Sequence, residues 1–257
     1  VCTQCKTDKR KMPKPFMMNQ YSSGKLSMAD AFDRIIIAVP DLQEASAQYQ
    51  VLLDVNPAMH ASAQGEQEAW IGLGNTVLVL RESEVEAATI NALVLREPGS
   101  ATRSVNNALG LGIEVCDGSE TEEFRDREVQ AQSSDMAVDH LVLRTVDAQA
   151  CIDLFAVGLG IRLALDKTVP KWGGRMLFFR AGKMTLEIIE SDAEASQGNY
   201  FWGIALQHAD LDHCIAALQA RGVSHSLIRE GRKPGTRVAS VKSHCLDLPT
   251  LLIEPAK

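Results

Sequence analysis

Two arginines and a group of aromatic residues are the first side chains in this sequence whose types and spacing could do chemistry. Arg144 stands four residues beyond His140 and two beyond Val142 in the alternating stretch VDHLVLR, and Arg175 opens the following hairpin, GGRMLFFR. Guanidinium groups placed this way could grip a carboxylate or enolate oxygen through paired N–H donors, and a solvated sheet rim would give the same spacing. Trp172, Phe178, Phe179 and Trp202 cluster in the same region of a chain with only 5% aromatics. They suggest a pocket for a planar or apolar ligand, with ordinary core packing as the competing use. The turn GRKPGTR sets Lys233 and Arg237 around Pro234-Gly235, where it could close over an anionic substrate or simply reverse a hairpin. Other chemistries are excluded. There is no GxSxG elbow, no P-loop and no GxGxxG opening a βαβ unit, and the CxxC at Cys2 and Cys5 lacks the second ligand pair of a zinc ribbon.

These residues need elements to hold them, and the chain supplies the same set of elements repeatedly. FDRIIIAVPDL reads as a strand closed by Pro40-Asp41, with Asp41 capping a helix through Ala45, Tyr49 and Leu52. EAWIGLG and NTVLVLRES then form a hairpin about Gly74-Asn75. From Val138 the order returns as VDHLVLRTVD, DAQACIDLFAVGLG, IRLALDKTVP, GGRMLFFRAG and KMTLEIIES, about 106 residues further on. A further copy runs from FWGIALQ to TLLIEP, and INALVLREPGSATRSVNNALGLGIEV is expected to give strand, helix and strand of a shorter copy. The fold class is therefore α+β, built from tandem βαβββ modules in two halves, with the second module degenerate. The boundaries fall at 28–132 and 133–257, with residues 117–136 as a polar linker and residues 1–27 outside the domains.

The chain has 257 residues and a net charge of −7, but residues 1–27 hold six Lys/Arg against one Asp, so the body carries −12. Such a body repels nucleic acid and anionic membrane surfaces, and no apolar run reaches the ~18 residues needed to span a bilayer. Six cysteines, four of them scattered at 116, 151, 214 and 245, do not form a disulfide framework, and a cytoplasmic location is expected.

FDRIIIAVPDL, VDHLVLRTVD, MTLEIIE and WGIALQHADLD, together with the module order over nearly all of 30–257, resemble the vicinal oxygen chelate superfamily. That superfamily includes glyoxalase I, extradiol dioxygenases, methylmalonyl-CoA epimerase and the fosfomycin and bleomycin resistance proteins. The resemblance implies paired modules cupping a divalent metal, held by a first-strand His and a last-strand Glu from each module. Carried over, these positions are His140 and Glu187 in the third module, Gly203 and Leu251 in the fourth, Arg34 and Val79 in the first, and Asn91 in the second. His140 and Glu187 are then the metal ligands and catalytic residues, with Fe, Mn, Ni or Zn or with no metal at all. Gln207, His208 and His244 are candidates for a third ligand, and Arg34 is expected to pair with Asp33 or Asp139. Arg144, Trp172, Arg175, Phe179, Trp202, Gln207 and Arg237 form the candidate substrate-binding set. The implied activity is glyoxalase-type enolisation or isomerisation of a small carbonyl-containing or vicinal-oxygen substrate, with the first half as packing partner in a homodimer. A metal-free sequestering protein is the alternative. An extradiol dioxygenase ranks third, because its second His and its Glu fall on Gly203 and Leu251.

Overall fold

The computed structural model describes residues 28–62, 65–128, 134–169, 174–191 and 198–256. Three complete modules share one wiring. In the first, strand β1 (Ala31–Val39) leads to helix α1 (Leu42–Leu53) and then to β2 (Ala58–Ala61), β3 (Gln67–Gly72) and β4 (Val77–Glu82). β4 lies parallel to β1, and the spatial order is β2-β3-β4-β1. The second module is short, with β5 (Thr89–Arg96), β6 (Arg103–Ser104), β7 (Gly112–Cys116) and helix α2 (Ser119–Glu128). The third comprises β8 (Ala137–Thr145), α3 (Ala148–Ile152) running on as a π-helical segment (Asp153–Gly158), β9 (Arg162–Val169), β10 (Gly174–Ala181) and β11 (Met184–Glu190). The fourth comprises β12 (Tyr200–Gln207), α4 (Leu211–Ala220), β13 (Arg229–Glu230), β14 (Arg237–Ser240) and β15 (Thr250–Glu254).

Each complete module starts its helix in the same way. An aspartate after the first strand caps the helix: Asp41 accepts from the Glu44 amide at 2.8 Å, Asp147 from Ala150 at 2.9 Å and Asp210 from His213 at 2.9 Å. A glutamate at the end of the last strand accepts from the first helical amide: Glu82 from Leu42 at 3.2 Å, Glu190 from Ala148 at 2.8 Å and Glu254 from Leu211 at 2.8 Å. Two of the amides that every helix start leaves unbonded are thus satisfied, and the negative charge suits the positive end of the helix dipole.

The second module lacks this pair of carboxylates, and the helix expected between its strands is absent. Instead the Asn107 side chain donates to the carbonyls of Val105 and Leu111 and accepts from the Leu111 amide, closing a turn before Gly110 at φ +68°. A helix does form where a polar linker is expected. In α2, Asp117 accepts from the Ser119 amide, the first turn is acidic and the last is basic.

The strands join into one sheet. β5 meets β12 at Ile90 and Phe201, and the Asn75 side chain brackets the backbone of Val138, donating at 2.7 Å and accepting at 2.8 Å. One face is covered by α1, α3 and α4 and holds the main core, with Ile35, Ile37, Leu141, Leu143, Leu177, Phe179 and Leu252 against Tyr49, Phe155 and Leu211. The other face is termed the inner face. It divides into a cluster about Ile36, Trp70, Val79 and Val94 in the first half and a cluster of Val142, Met176 and Ile189 in the second.

Candidate functional site

A β-bulge near the start of each module's first strand decides which side chains reach the inner face. Pairing skips Asp33 in β1, Asn91 in β5, Asp139 in β8 and Trp202 in β12. The extra residue reverses the alternation, so Phe32, Ile90, Val138 and Phe201 lie in the helix-side core while Arg34, Ala92, His140 and Gly203 fall on the inner face. In the second module the position equivalent to His140 is therefore Ala92, and Asn91, expected there from the sequence, is the bulged residue.

The register of the second half arranges the inner face in rows. Arg180, Thr185, His140, Ala205, Leu251 and Ser240 are successive partners in one row. Leu165, Phe178, Glu187, Val142 and Gly203 form the next, and Lys167, Met176, Ile189, Arg144 and Tyr200 the third. Chemistry is thus concentrated on the third module, while the fourth contributes a small and apolar wall. His140 Nδ1 lies 2.7 Å from Asp139 Oδ2, and its Nε2 lies 3.6 Å from Glu187 Oε2. The hydrogen bond with His140 holds the Asp139 carboxyl below its ordinary value despite partial burial, helped by the positive charges of His140, Lys233 and Arg180. Lys233, on the GRKPGTR turn, and Arg180 therefore stand near this centre. Arg144 stacks on Trp202, its guanidinium carbon 5.1 Å from the ring centroid, and Lys167 lies 6.0 Å from the Phe178 ring.

The structure brings His140, Glu187, Arg144 and Trp202 to one face, and Gln207 joins them on β12, two residues beyond Ala205 and level with Ile253. It sends three other expected residues elsewhere. Phe179 is fully buried on the helix side against Phe155, at 5.5 Å between centroids, because alternation on β10 turns Phe178 inward instead. Arg175 has the same parity as Phe179 and forms a two-pronged ion pair with Asp166. Arg237 lies on the helix side, where it donates to Asp212 at 2.8 Å and Glu254 at 2.6 Å, bracing the start of α4. Trp172 lies outside the described residues. Of the other candidate ligands, His208 accepts from the Asp210 amide and stacks on His213, and His244 bonds to Ser243. Phe178, one of the aromatic residues expected to line a pocket, does face inward, and Lys167 and Arg180 join it there without having been expected at the site. The two-residue alternation could have found them once the phase of β10 was known.

The donor set does not fit a three-ligand metal centre. Among the described residues no three His, Cys, Asp or Glu side chains converge. His140 and Glu187 supply two donors, and Asp139 is engaged with the far nitrogen of His140. The fourth module supplies no donor at the two equivalent positions: a Cβ on Gly203 would lie 2.4 Å from the Pro249 carbonyl oxygen, and Leu251 is apolar, which leaves the neutral Gln207 amide as its one inner-face candidate among the described residues. The described cysteines offer no alternative nucleophile, since all four are buried, and burial pushes the thiols of Cys116, Cys151 and Cys214 up to about 11.

The first half has an equivalent face, and α2 fills it. Phe124 packs edge-on to Trp70 at 5.3 Å, Thr121 donates to Asp33 at 2.7 Å, Arg34 pairs with both Glu120 and Asp33, and Arg125 donates to the Leu73 carbonyl. The expected pairing of Arg34 with Asp33 is present. Its second carboxylate comes from the unforeseen helix.

Tandem βαβββ modules with a histidine and a glutamate facing each other on one inner face define a class of protein. Residues 139–239 match the family model of the Glyoxalase/Bleomycin resistance protein/Dioxygenase superfamily, the vicinal oxygen chelate group that the sequence resembles. Solved structures share the fold across both halves. A mutant 4-hydroxymandelate synthase from Streptomyces coelicolor is 11% identical, with 88% of this chain and 92% of that one covered at a TM-score of 0.65. The Mn(II)-bound glyoxalase from Novosphingobium aromaticivorans is 14% identical over 90% and 84%, at 0.61. The 2,3-dioxygenase LapB from Pseudomonas sp. KL28 is 12% identical over 91% and 94%, at 0.60. At these identities the likeness is one of fold. A comparison with curated proteins finds no match. Among the described residues no helix is long and apolar enough to cross a membrane.

Proposed function

We propose that the inner face of the second half binds a small carbonyl-containing substrate and moves a proton at the carbon beside the carbonyl, giving enolisation or isomerisation. The observation that carries this reading is the Asp139–His140–Glu187 array, in which one carboxylate orients the imidazole and the other faces its remaining nitrogen. The Glu187 carboxylate takes the proton. The electrons of the broken C–H bond form the carbon–carbon double bond, and the carbonyl π pair moves onto oxygen. His140, protonated and anchored through Nδ1, donates from Nε2 to that oxyanion. With a 2-hydroxy ketone, the isomerisation is completed when Glu187 returns its proton to the former carbonyl carbon while the other enediol hydroxyl gives its proton to His140 and becomes the new carbonyl, which restores both side chains. Every step uses the chain's own side chains, in keeping with a donor set too small for a catalytic metal.

Proton exchange with solvent tests this directly. A panel of small 2-oxo acids and 2-hydroxy ketones in D2O, followed by proton NMR, should include a member whose α-hydrogen exchanges about 10²–10⁴-fold faster with the protein than in buffer. Glu187→Gln and His140→Asn should each abolish the gain. Saturable binding with no exchange by any member would overturn the enzymatic reading in favour of a sequestering protein.

A further inference from the structure

Cationic side chains gather around the Asp139 and Glu187 carboxylates on the inner face of a chain that is acidic overall. Against a net charge of −7, this face of the second half presents Arg144, Lys167 and Arg180 in register with its apolar and catalytic positions, and Lys233 acts on Asp139 from the turn above. Apolar side chains that folding would normally hide are also exposed there. Trp202 is 39% and Leu165 44% accessible, and Phe178, Leu251 and Ile253 are only partly covered. Cations beside exposed apolar surface form a site for a molecule with both an acidic and an apolar part.

Resting on the reading of this face as the ligand site, we infer that its ligands are small organic carboxylates with an apolar or planar body, recognised by Arg144. The guanidinium carbon sits 5.1 Å over the Trp202 ring, and carboxylates pair with guanidinium N–H groups, so one side chain can meet the apolar and the acidic part of the same molecule. Arg144 is level with Ile189, two residues along β11 from Glu187. That step is about 6–7 Å on an extended strand, which sets an acid group at Arg144 a few bonds from a carbon at Glu187. Lys167, in the same row, adds positive charge, and the body lies toward the exposed ring of Trp202.

A matched pair of probes separates charge from shape: 3-phenylpropanoate and its neutral amide, 3-phenylpropanamide, titrated by NMR into the full chain. The acid should bind at least about 10-fold more tightly than the amide, a difference of one strong charge-assisted contact. Arg144→Met should erase the preference, Arg144→Lys should keep part of it, and Lys167→Met should reduce it less. Trp202→Leu should weaken acid and amide together. Circular dichroism and melting confirm that each variant is folded. Equal binding of acid and amide by wild type, a preference that survives Arg144→Met in the folded protein, or no binding of the acid up to about 20 mM would each overturn the inference. Proton exchange without carboxylate preference sinks this inference alone, and preference without exchange sinks only the catalytic reading.

Discussion

Asp139 and His140 are chain neighbours on one strand, yet their side chains meet at 2.7 Å between Oδ2 and Nδ1. In a regular strand adjacent side chains point to opposite faces, so the bulge at Asp139 is what makes the contact. The first half repeats the arrangement with Asp33 and Arg34, 3.2 Å apart.

Replacing Asp139 with Asn should therefore leave the ring in place but impair its chemistry, lowering the proton-exchange rate about 10- to 100-fold. It should also change the acid stability profile. The Asp139 carboxyl is held below its ordinary value of 3.8, chiefly by its hydrogen bond with His140, so its stabilisation is complete above that value and is lost as pH falls through the lowered one. Urea unfolding at pH 7 and pH 3 should show wild type losing more stability on acidification than Asp139→Asn.

Metal should not be required. Exchange activity should persist in EDTA, and calorimetric titration with Mn(II), Ni(II) or Zn(II) should reveal no tight site that His140→Ala removes, because among the described residues no three His, Cys, Asp or Glu side chains converge. Adding a donor at the equivalent position of the fourth module should fail structurally. Gly203→His would drive its Cβ against the Pro249 carbonyl and disrupt the pairing of β12 with β15, lowering stability by about 1–3 kcal/mol in urea unfolding.

The glutamates at the ends of the last strands are predicted to stabilise the helices they cap. Glu254 is buried and accepts from both the Leu211 amide and Arg237. Glu254→Ala should cost about 2 kcal/mol, since it leaves a buried N–H without its acceptor. The same change at an exposed carboxylate without such partners, Glu44→Ala at the start of α1 for comparison, should cost much less.

Phe124 should behave as a core residue although it comes from a helix of otherwise polar composition. It is 4% exposed against Trp70, and Phe124→Ala should destabilise the chain by about 3 kcal/mol and change the tryptophan fluorescence of the folded state.

The sequence announces its modules because strand and helix periods recur at one spacing, and the family resemblance those modules carry implies the positions of His140 and Glu187. It conceals phase. Phe178 and Phe179 are adjacent and chemically identical, so only the register of β10 on β11 decides which faces the ligand and which faces Phe155. Arg175 leaves the inner face for the same reason, and the bulges at Asn91 and Trp202 shift the count by one residue that composition does not mark. Helix α2 is hidden differently. Its sequence, SETEEFRDRE, has no apolar stripe, and its position depends on one aromatic side chain and on hydrogen bonds to residues 33, 34 and 73 far away in the chain.

That helix also fixes how many ligand molecules a duplicated protein can accept. Two halves built on the same wiring would ordinarily offer two equivalent sites and a titration ending at two ligands per chain. With Phe124, Thr121 and Glu120 occupying the first inner face, the end point should be one, and every chain in a saturated sample should be singly loaded.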